Sequence, residues 1–296
     1  MSKSLMLILN PSAGKGGSVS SVGRVMEVLY AGGYVPTVFF TEGVGDATHL
    51  VLSRGMEFDC VACIGGDGTL SETVAGLAQL PKPPVLGYIP QGTTNDVAAT
   101  LGLPKLPSLA ARTIATGRPI PFDVGKFNSD AYFTYIAAFG AFTEVSYETP
   151  KESKQALGHL AYVLKGMEQL PKLTYYPATV EYDDGVISGD MIFGSVSNSS
   201  SVAGIVKLSK EQIALNDGLF EVILVKNPKN VIEMNQIVSN ILSKSFSSGP
   251  VTLLKSKNVK FTFDRPVKWT RDGEAGGAHK EVSLENLHSA INIIVK

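Results

Sequence analysis

The sequence predicts an α/β protein with an N-terminal domain built on a parallel sheet and a second domain of mostly antiparallel β-structure, read as a β-sandwich. Three observations carry this. Short apolar runs alternate with helix-period segments through about the first 120 residues, and near Phe122 the texture changes to strands joined by Asp-Gly and Asn-Gly turns. At 296 residues the chain also exceeds one typical domain, so two are expected, over 1–122 and 123–296.

The elements follow in order. Residues 5–9 read as a buried strand, stopped by Asn10-Pro11 and a Gly-rich turn, and residues 19–30 carry helical apolar spacing. A strand over 35–40 and a helix over 46–54 come next, then a strand over 59–64 that runs into Gly65-Gly66-Asp67-Gly68-Thr69 and a helix through Ala78. Residues 85–89 form a fourth strand, and a short helix starts within 94–100. Beyond Phe122, strands are expected over 132–139, 179–182, 190–197, 220–225, 259–263 and 291–295, with helices near 155–170 and 231–246. The last strand is free to pack back on the first domain.

Composition narrows the function. A net charge of -1 with 18% charged residues gives no footprint for nucleic acid, so none is expected as a partner. The apolar run at residues 5–9 is too short for a signal peptide, and nothing approaches the roughly 18 apolar residues of a membrane span. Contact with a membrane is therefore expected to be peripheral. The only cysteines, Cys60 and Cys63, fit a reducing cytoplasm and read as buried thiols of a strand, not zinc or redox ligands. His49, His159, His279 and His288 show no ligand spacing. The sequence does not fix the oligomeric state, and a homodimer is compatible with it.

The chemistry concentrates in turns. Glycines in Gly65-Gly66-Asp67-Gly68-Thr69, between a strand and a helix, let backbone N–H groups approach phosphate oxygens, and the helix aims its positive end at the same place. Asp67 does not favourably face phosphate alone, which implies Mg²⁺ or a supporting role. Asn10-Pro11-Ser12-Ala13-Gly14-Lys15-Gly16 and Pro90-Gln91-Gly92-Thr93-Thr94-Asn95-Asp96 follow the first and fourth strands. Ligands of open α/β sheets bind at such carboxyl ends, so the three turns predict a nucleotide cleft. Thr41, closing the second strand, is a candidate for the base or ribose, or a helix cap.

This ordered set, with Asn216-Asp217-Gly218-Leu219 and Asp272-Gly273-Glu274 later in the chain, resembles the catalytic domain of diacylglycerol kinases and their bacterial soluble relatives. The resemblance spans nearly the whole chain and implies an ATP-dependent, Mg²⁺-using kinase acting on a lipid hydroxyl. It carries ATP contacts onto Asn10, Thr41, Gly65, Gly66, Asp67, Gly68, Thr69, Leu70, Ser71, Glu72, Gly92, Thr93 and Asn95. It places the catalytic base in the Asp-Gly-Glu turn, with Asp272 favoured and Glu274 second, and a structural Mg²⁺ on Asp217 with the carbonyls of Ala214 and Leu219. Departures lie in the second domain: Ser197 to Ser201 where a Gly-rich turn is common, Lys210-Glu211-Gln212-Ile213 without the usual proline, and Asn216 for an acidic residue. An NAD kinase shares the Gly-Gly-Asp-Gly-Thr turn, but Gly92-Thr93-Thr94-Asn95-Asp96 and the Asp-Gly-Glu turn argue against it. A non-catalytic nucleotide-binding regulator requires residues 272–274 to be structural only.

Overall fold

In a computed structural model the chain is described over residues 2–13, 17–141, 173–198, 201–202, 206–207, 216–243, 246 and 249–296. The apolar runs of the N-terminal part become strands, β1 (Lys3–Leu9), β2 (Tyr34–Phe40), β3 (Cys60–Gly65) and β4 (Val85–Pro90); β1, β3 and β4 are largely buried, while the edge strand β2 exposes Val35 and Phe40. They pair in parallel in the order β2-β1-β3-β4, with Leu9 beside both Phe40 and Ile64 and Gly65 beside Pro90. Between them run α1 (Gly17–Ala31), α2 (Asp46–Arg54) and α3 (Asp67–Leu77), followed by α4 (Asp96–Thr100) and α5 (Pro107–Thr116). Val22, Val25, Met26 and Leu29 put one stripe of α1 against Leu5, Leu7 and Ile64. Helix α5 adds Ala110, Ala111 and Ile114 to the same core. Helix α2 packs on α3, and α3 on β3.

The chain is mixed α/β and divides into two units, Met1–Val124 with His288–Lys296, and Gly125–Leu287. Strand β5 (Arg118–Phe127) leads into the second unit. There follow β6 (Ala131–Phe133), β7 (Ile136–Gly140), β8 (Tyr176–Tyr182), β9 (Gly185–Ser197), a ribbon of β10 (Ser201–Val202) and β11 (Val206–Lys207), and β12 (Phe220–Lys226). Helix α6 (Val231–Ser243), β13 (Val251–Ser256), β14 (Asn258–Arg271) and β15 (Glu274–Val295) complete the chain. In this unit the long strands form one antiparallel ladder, β13-β12-β9-β7-β14-β15, in which β8 also bridges β9 and β14.

Trp269, wholly buried, centres the aromatic core of this ladder, with the rings of Phe139, Phe261 and Phe127 at 4.9, 5.1 and 5.6 Å. A second core forms where Met234, Ile237, Val238 and Ile241 of α6 meet Phe193, Ile223 and Val225. The end of β15 belongs to the first unit, where Ile293 lies parallel beside Leu86 of β4.

Several readings of the sequence change, since β5, β13 and the first part of β15 fall where no strand was expected. The strand expected over 132–139 is split, because the N–H groups of Thr134, Tyr135 and Ile136 turn to the Asp272 side chain instead of continuing the β5–β6 pairing. Helix α5 was not anticipated, although Pro107 opens it at a position where a missing N–H costs nothing. The helix expected near 155–170, His159 and Gly14 through Gly16 lie outside the described residues. Among those described, no helix is long and apolar enough to cross a membrane.

Candidate active site

The carboxyl ends of the parallel strands set Thr41, Asn10, Gly65 and Gln91 in one row, since each follows or ends a strand in register with its neighbours. Backbone bonds stitch the row together: Thr41 N–H donates to the Leu9 carbonyl (3.0 Å), Asn10 N–H to that of Ile64 (3.1 Å), and Gln91 N–H to that of Gly65 (2.7 Å). The Asn10 side chain ties two turns, accepting from Ser12 N–H (2.9 Å) and donating to Thr69 Oγ1 (3.1 Å).

The turns after β3 and β4 touch backbone to backbone. A Cβ on Gly92 would sit 2.5 Å from Gly66 Cα, and one on Gly66 would sit 3.2 Å from Gly92 Cα, so the close approach needs glycine on both sides. A Cβ on Gly65 would meet Thr69 Oγ1 at 2.5 Å. Gly66 is the N-cap of α3, and the Leu70 N–H already bonds back to its carbonyl (3.1 Å). The N-terminal N–H groups of this 11-residue helix, around the exposed Gly68, are therefore directed at the strand edge.

Asn95 is the joint between the two turns. It adopts the left-handed region (φ 54°), which asparagine tolerates better than most side chains. Its Oδ1 accepts from Gly92 N–H (2.8 Å) and Tyr88 O–H (3.2 Å), its Nδ2 donates to the Gly92 carbonyl (2.8 Å), and its own N–H donates to Asp67 Oδ2 (2.9 Å). Asp67 thus links the start of α3 to the start of α4. Burial, reinforced by the Asp67 charge, holds the Tyr88 phenol far above its usual range, so it stays a neutral donor. Tyr88 was not singled out in the sequence; a tyrosine inside an otherwise apolar strand, whose O–H must find a partner, was the available signal.

Other expected contacts are placed differently. The Leu70 side chain is wholly buried, and only its backbone faces the turn. Glu72 caps α2, its carboxylate accepting from Gly45 N–H (2.9 Å) and Ala47 N–H (3.2 Å) while its carbonyl takes the Thr48 hydroxyl (2.8 Å). Thr41 is buried and Thr93 exposed, and Ser71 lies half-buried one position before Glu72.

The remaining candidates belong to the second unit. Arg271 pairs with Glu274 across a two-residue turn in which Asp272 (φ 49°) and Gly273 (φ 89°) both take positive φ, as a tight hairpin requires. Glu274 is exposed, whereas Asp272 is 5% exposed. Both Asp272 oxygens are fixed by backbone donors: Oδ2 by Thr134 N–H (2.7 Å), Oδ1 by Tyr135 N–H (3.0 Å) and Ile136 N–H (3.1 Å). Asp217 Oδ1 accepts from Leu219 N–H (3.0 Å), closing the 216–219 turn, and its Oδ2 takes Lys255 Nζ at 2.8 Å. Lys255 Nζ also lies 3.4 Å from Glu221 Oε1. Burial pushes the Glu221 carboxyl up to about 7 against the pull of Lys255. Ala214 lies outside the described residues, and among those described no three His, Cys, Asp or Glu side chains gather as a metal site.

Glycine-rich turns at strand carboxyl ends, with a helix N-terminus beside them, are the arrangement in which open α/β sheets commonly hold phosphate-bearing ligands. The description of the diacylglycerol kinase catalytic domain matches residues 4–127. Over the whole chain, the diacylglycerol kinase of Bacillus subtilis (strain 168) is 36% identical across 296 residues, 99% of this chain and 96% of that protein. The diacylglycerol kinase of Staphylococcus saprophyticus is 36% identical across 279 residues, 94% of this chain and 90% of that protein. A crystal structure of a candidate diacylglycerol kinase from Bacillus anthracis superposes with a TM-score of 0.81 at 27% identity, covering 99% of this chain and 95% of that one. The chain belongs to the diacylglycerol kinase family and is a lipid kinase.

Proposed function

We propose that the chain transfers the γ-phosphoryl group of ATP to the free hydroxyl of diacylglycerol, giving phosphatidic acid, at the surface of a membrane that it contacts peripherally from the cytoplasm. The observation that carries this reading is the interlocked pair of turns, in which Gly66 and Gly92 meet without side chains between them and Asp67 and Asn95 bridge them. The glycine contact leaves backbone N–H groups of residues 66–69 for the phosphates, as the resemblance expects. Asn10, Thr69 and Thr93 line the same edge, and Thr41 lies beside Asn10 for the base or ribose. Asp67 is the carboxylate of this edge that would hold Mg²⁺, which when bound neutralises charge on the transferring phosphate.

In this assignment the first unit binds ATP and the second receives the lipid. The proton acceptor lies in the 272–274 turn. Asp272 is held in one orientation by three backbone donors, which is what a positioned base needs, and the exposed Glu274 is the second carboxylate. A nucleotide-dependent regulator without catalysis would need the 272–274 turn only for its fold, with Asp272 bonded to backbone and Glu274 dispensable. The test is a labelled-ATP assay against diacylglycerol, monoacylglycerol, a sphingoid base, a prenol and NAD, with Mg²⁺ omitted in one arm. Label in phosphatidic acid, and only with Mg²⁺, is expected. Label in NADP alone would overturn the assignment.

A further inference from the structure

The family resemblance places a structural Mg²⁺ on Asp217, yet the surroundings of that carboxylate in this chain already contain a cation. Strands β12 and β13 pair antiparallel with Glu221 opposite Lys255, so the register of the ladder carries the Lys255 ammonium to the mouth of the 216–219 turn. There it lies 2.8 Å from Asp217 Oδ2 and 3.4 Å from Glu221 Oε1, while Asp217 Oδ1 is occupied by the Leu219 N–H. The Asp217 and Glu221 side chains are 23% and 9% exposed, so their charges need a partner more than those of surface carboxylates do. A divalent ion on the same Oδ2 would sit against the ammonium, and two like charges in a half-buried site repel strongly. Mg²⁺ also demands near-octahedral oxygen geometry, and both oxygens of Asp217 are already engaged.

We propose that Lys255 is the built-in cation of the 216–219 turn, standing where the family's structural Mg²⁺ is expected, so that this turn folds and holds its shape without a divalent metal. The inference concerns the second unit's stability and stands apart from the identity of the acceptor. The Mg²⁺ that accompanies ATP is a separate matter, which is why the test contains no nucleotide.

The experiment is thermal unfolding of the full chain in chelator and in excess Mg²⁺, for the wild type, Asp217→Asn, Lys255→Met and Lys255→Arg. The quantity read is the part of the Mg²⁺-dependent shift in midpoint that disappears in Asp217→Asn; any shift that survives in that variant belongs to another site. For the wild type this part is expected to be zero. Lys255→Met should lower the midpoint by about 3 °C or more and should gain an Asp217-dependent response to Mg²⁺, as the vacated carboxylates accept the ion. Lys255→Arg should behave as the wild type. A wild-type midpoint that falls in chelator and recovers with Mg²⁺ only when Asp217 is intact would overturn the proposal, as would a Lys255→Met variant with an unchanged midpoint. Should Lys255→Met fail to fold, the wild-type and Asp217→Asn pair still decides between the two cations.

Discussion

Replacing Asp272 with asparagine is the usual way to ask whether a carboxylate is a base, but here it also perturbs the fold. Three backbone N–H groups point at the two Asp272 oxygens, Thr134 at one and Tyr135 and Ile136 at the other. An amide offers only one oxygen. In either orientation its NH₂ faces at least one N–H at hydrogen-bond distance, and the best choice keeps Tyr135 and Ile136 while stranding Thr134. Losing one charge-assisted bond and leaving a buried donor unsatisfied should together cost on the order of 2–4 kcal/mol. For a unit the size of Gly125–Leu287 this lowers the thermal midpoint by about 5–15 °C. Calorimetry of Asp272→Asn beside Glu274→Gln checks it, because the exposed Glu274 should tolerate its change with no measurable shift. Turnover is then measured well below the variant's midpoint and corrected for the folded fraction. An Asp272→Asn midpoint within about 1 °C of wild type would refute the argument from bonded donors. Equal destabilisation by the two variants would show that charge, and not hydrogen bonding, is what the turn requires.

Other expectations follow from the first unit. Asp67→Ala removes the acceptor for the Asn95 N–H and should cost roughly 10²-fold or more in kcat with only a small change in midpoint; activity within about threefold of wild type would show that the carboxylate is dispensable. Gly92→Ala forces a methyl to 2.5 Å from Gly66 Cα, so it should destabilise the protein by about 1–3 kcal/mol and weaken ATP binding, as read by calorimetric titration. Burial pushes both the Cys60 and Cys63 thiols up to about 12, which leaves a thiolate fraction on the order of 10⁻⁵ at neutral pH. Neither cysteine should react with a thiol reagent until denaturant is added, when two thiols should titrate.

The sequence made the first unit legible because a buried parallel strand is a continuous apolar run and its turns are glycine. Residues 5–9 and 60–64 are wholly buried, and the Gly-Gly-Asp-Gly-Thr turn falls where that run predicts. Helix α5 escaped because its buried face consists of Ala110, Ala111, Thr113 and Ile114, too small and too little apolar a stripe to separate from a loop. In the second unit, the Asp-Gly hairpin was readable as a turn, but its burial was not. That burial comes from three N–H groups more than 130 positions away, a partnership no local pattern encodes. Lys255 was equally invisible, because its bond to Asp217 depends on the register of β12 against β13. Glu72 looked like part of a phosphate turn by position, and its side chain instead serves the neighbouring helix.

The return of the chain end to the first unit bears on how the protein can be dissected. Residues 4–127, the stretch that matches the catalytic-domain description, contain every glycine turn of the strand edge. They do not contain the strand beside β4, which comes from the last residues: Ile291, Ile293 and Ile294 are buried there, and the Ser289 N–H donates to the buried Asp123 (2.6 Å). A fragment ending at residue 127 would therefore expose a second unpaired edge of its sheet, at β4 in addition to β2, with a row of N–H and C=O groups open to any other chain. Expressed alone, such a fragment should aggregate or swap strands, and a soluble version would need residues 288–296 supplied by a short linker or as a separate peptide. In that sense the sheet of the first unit is closed last, by residues the ribosome delivers only after the second unit is complete.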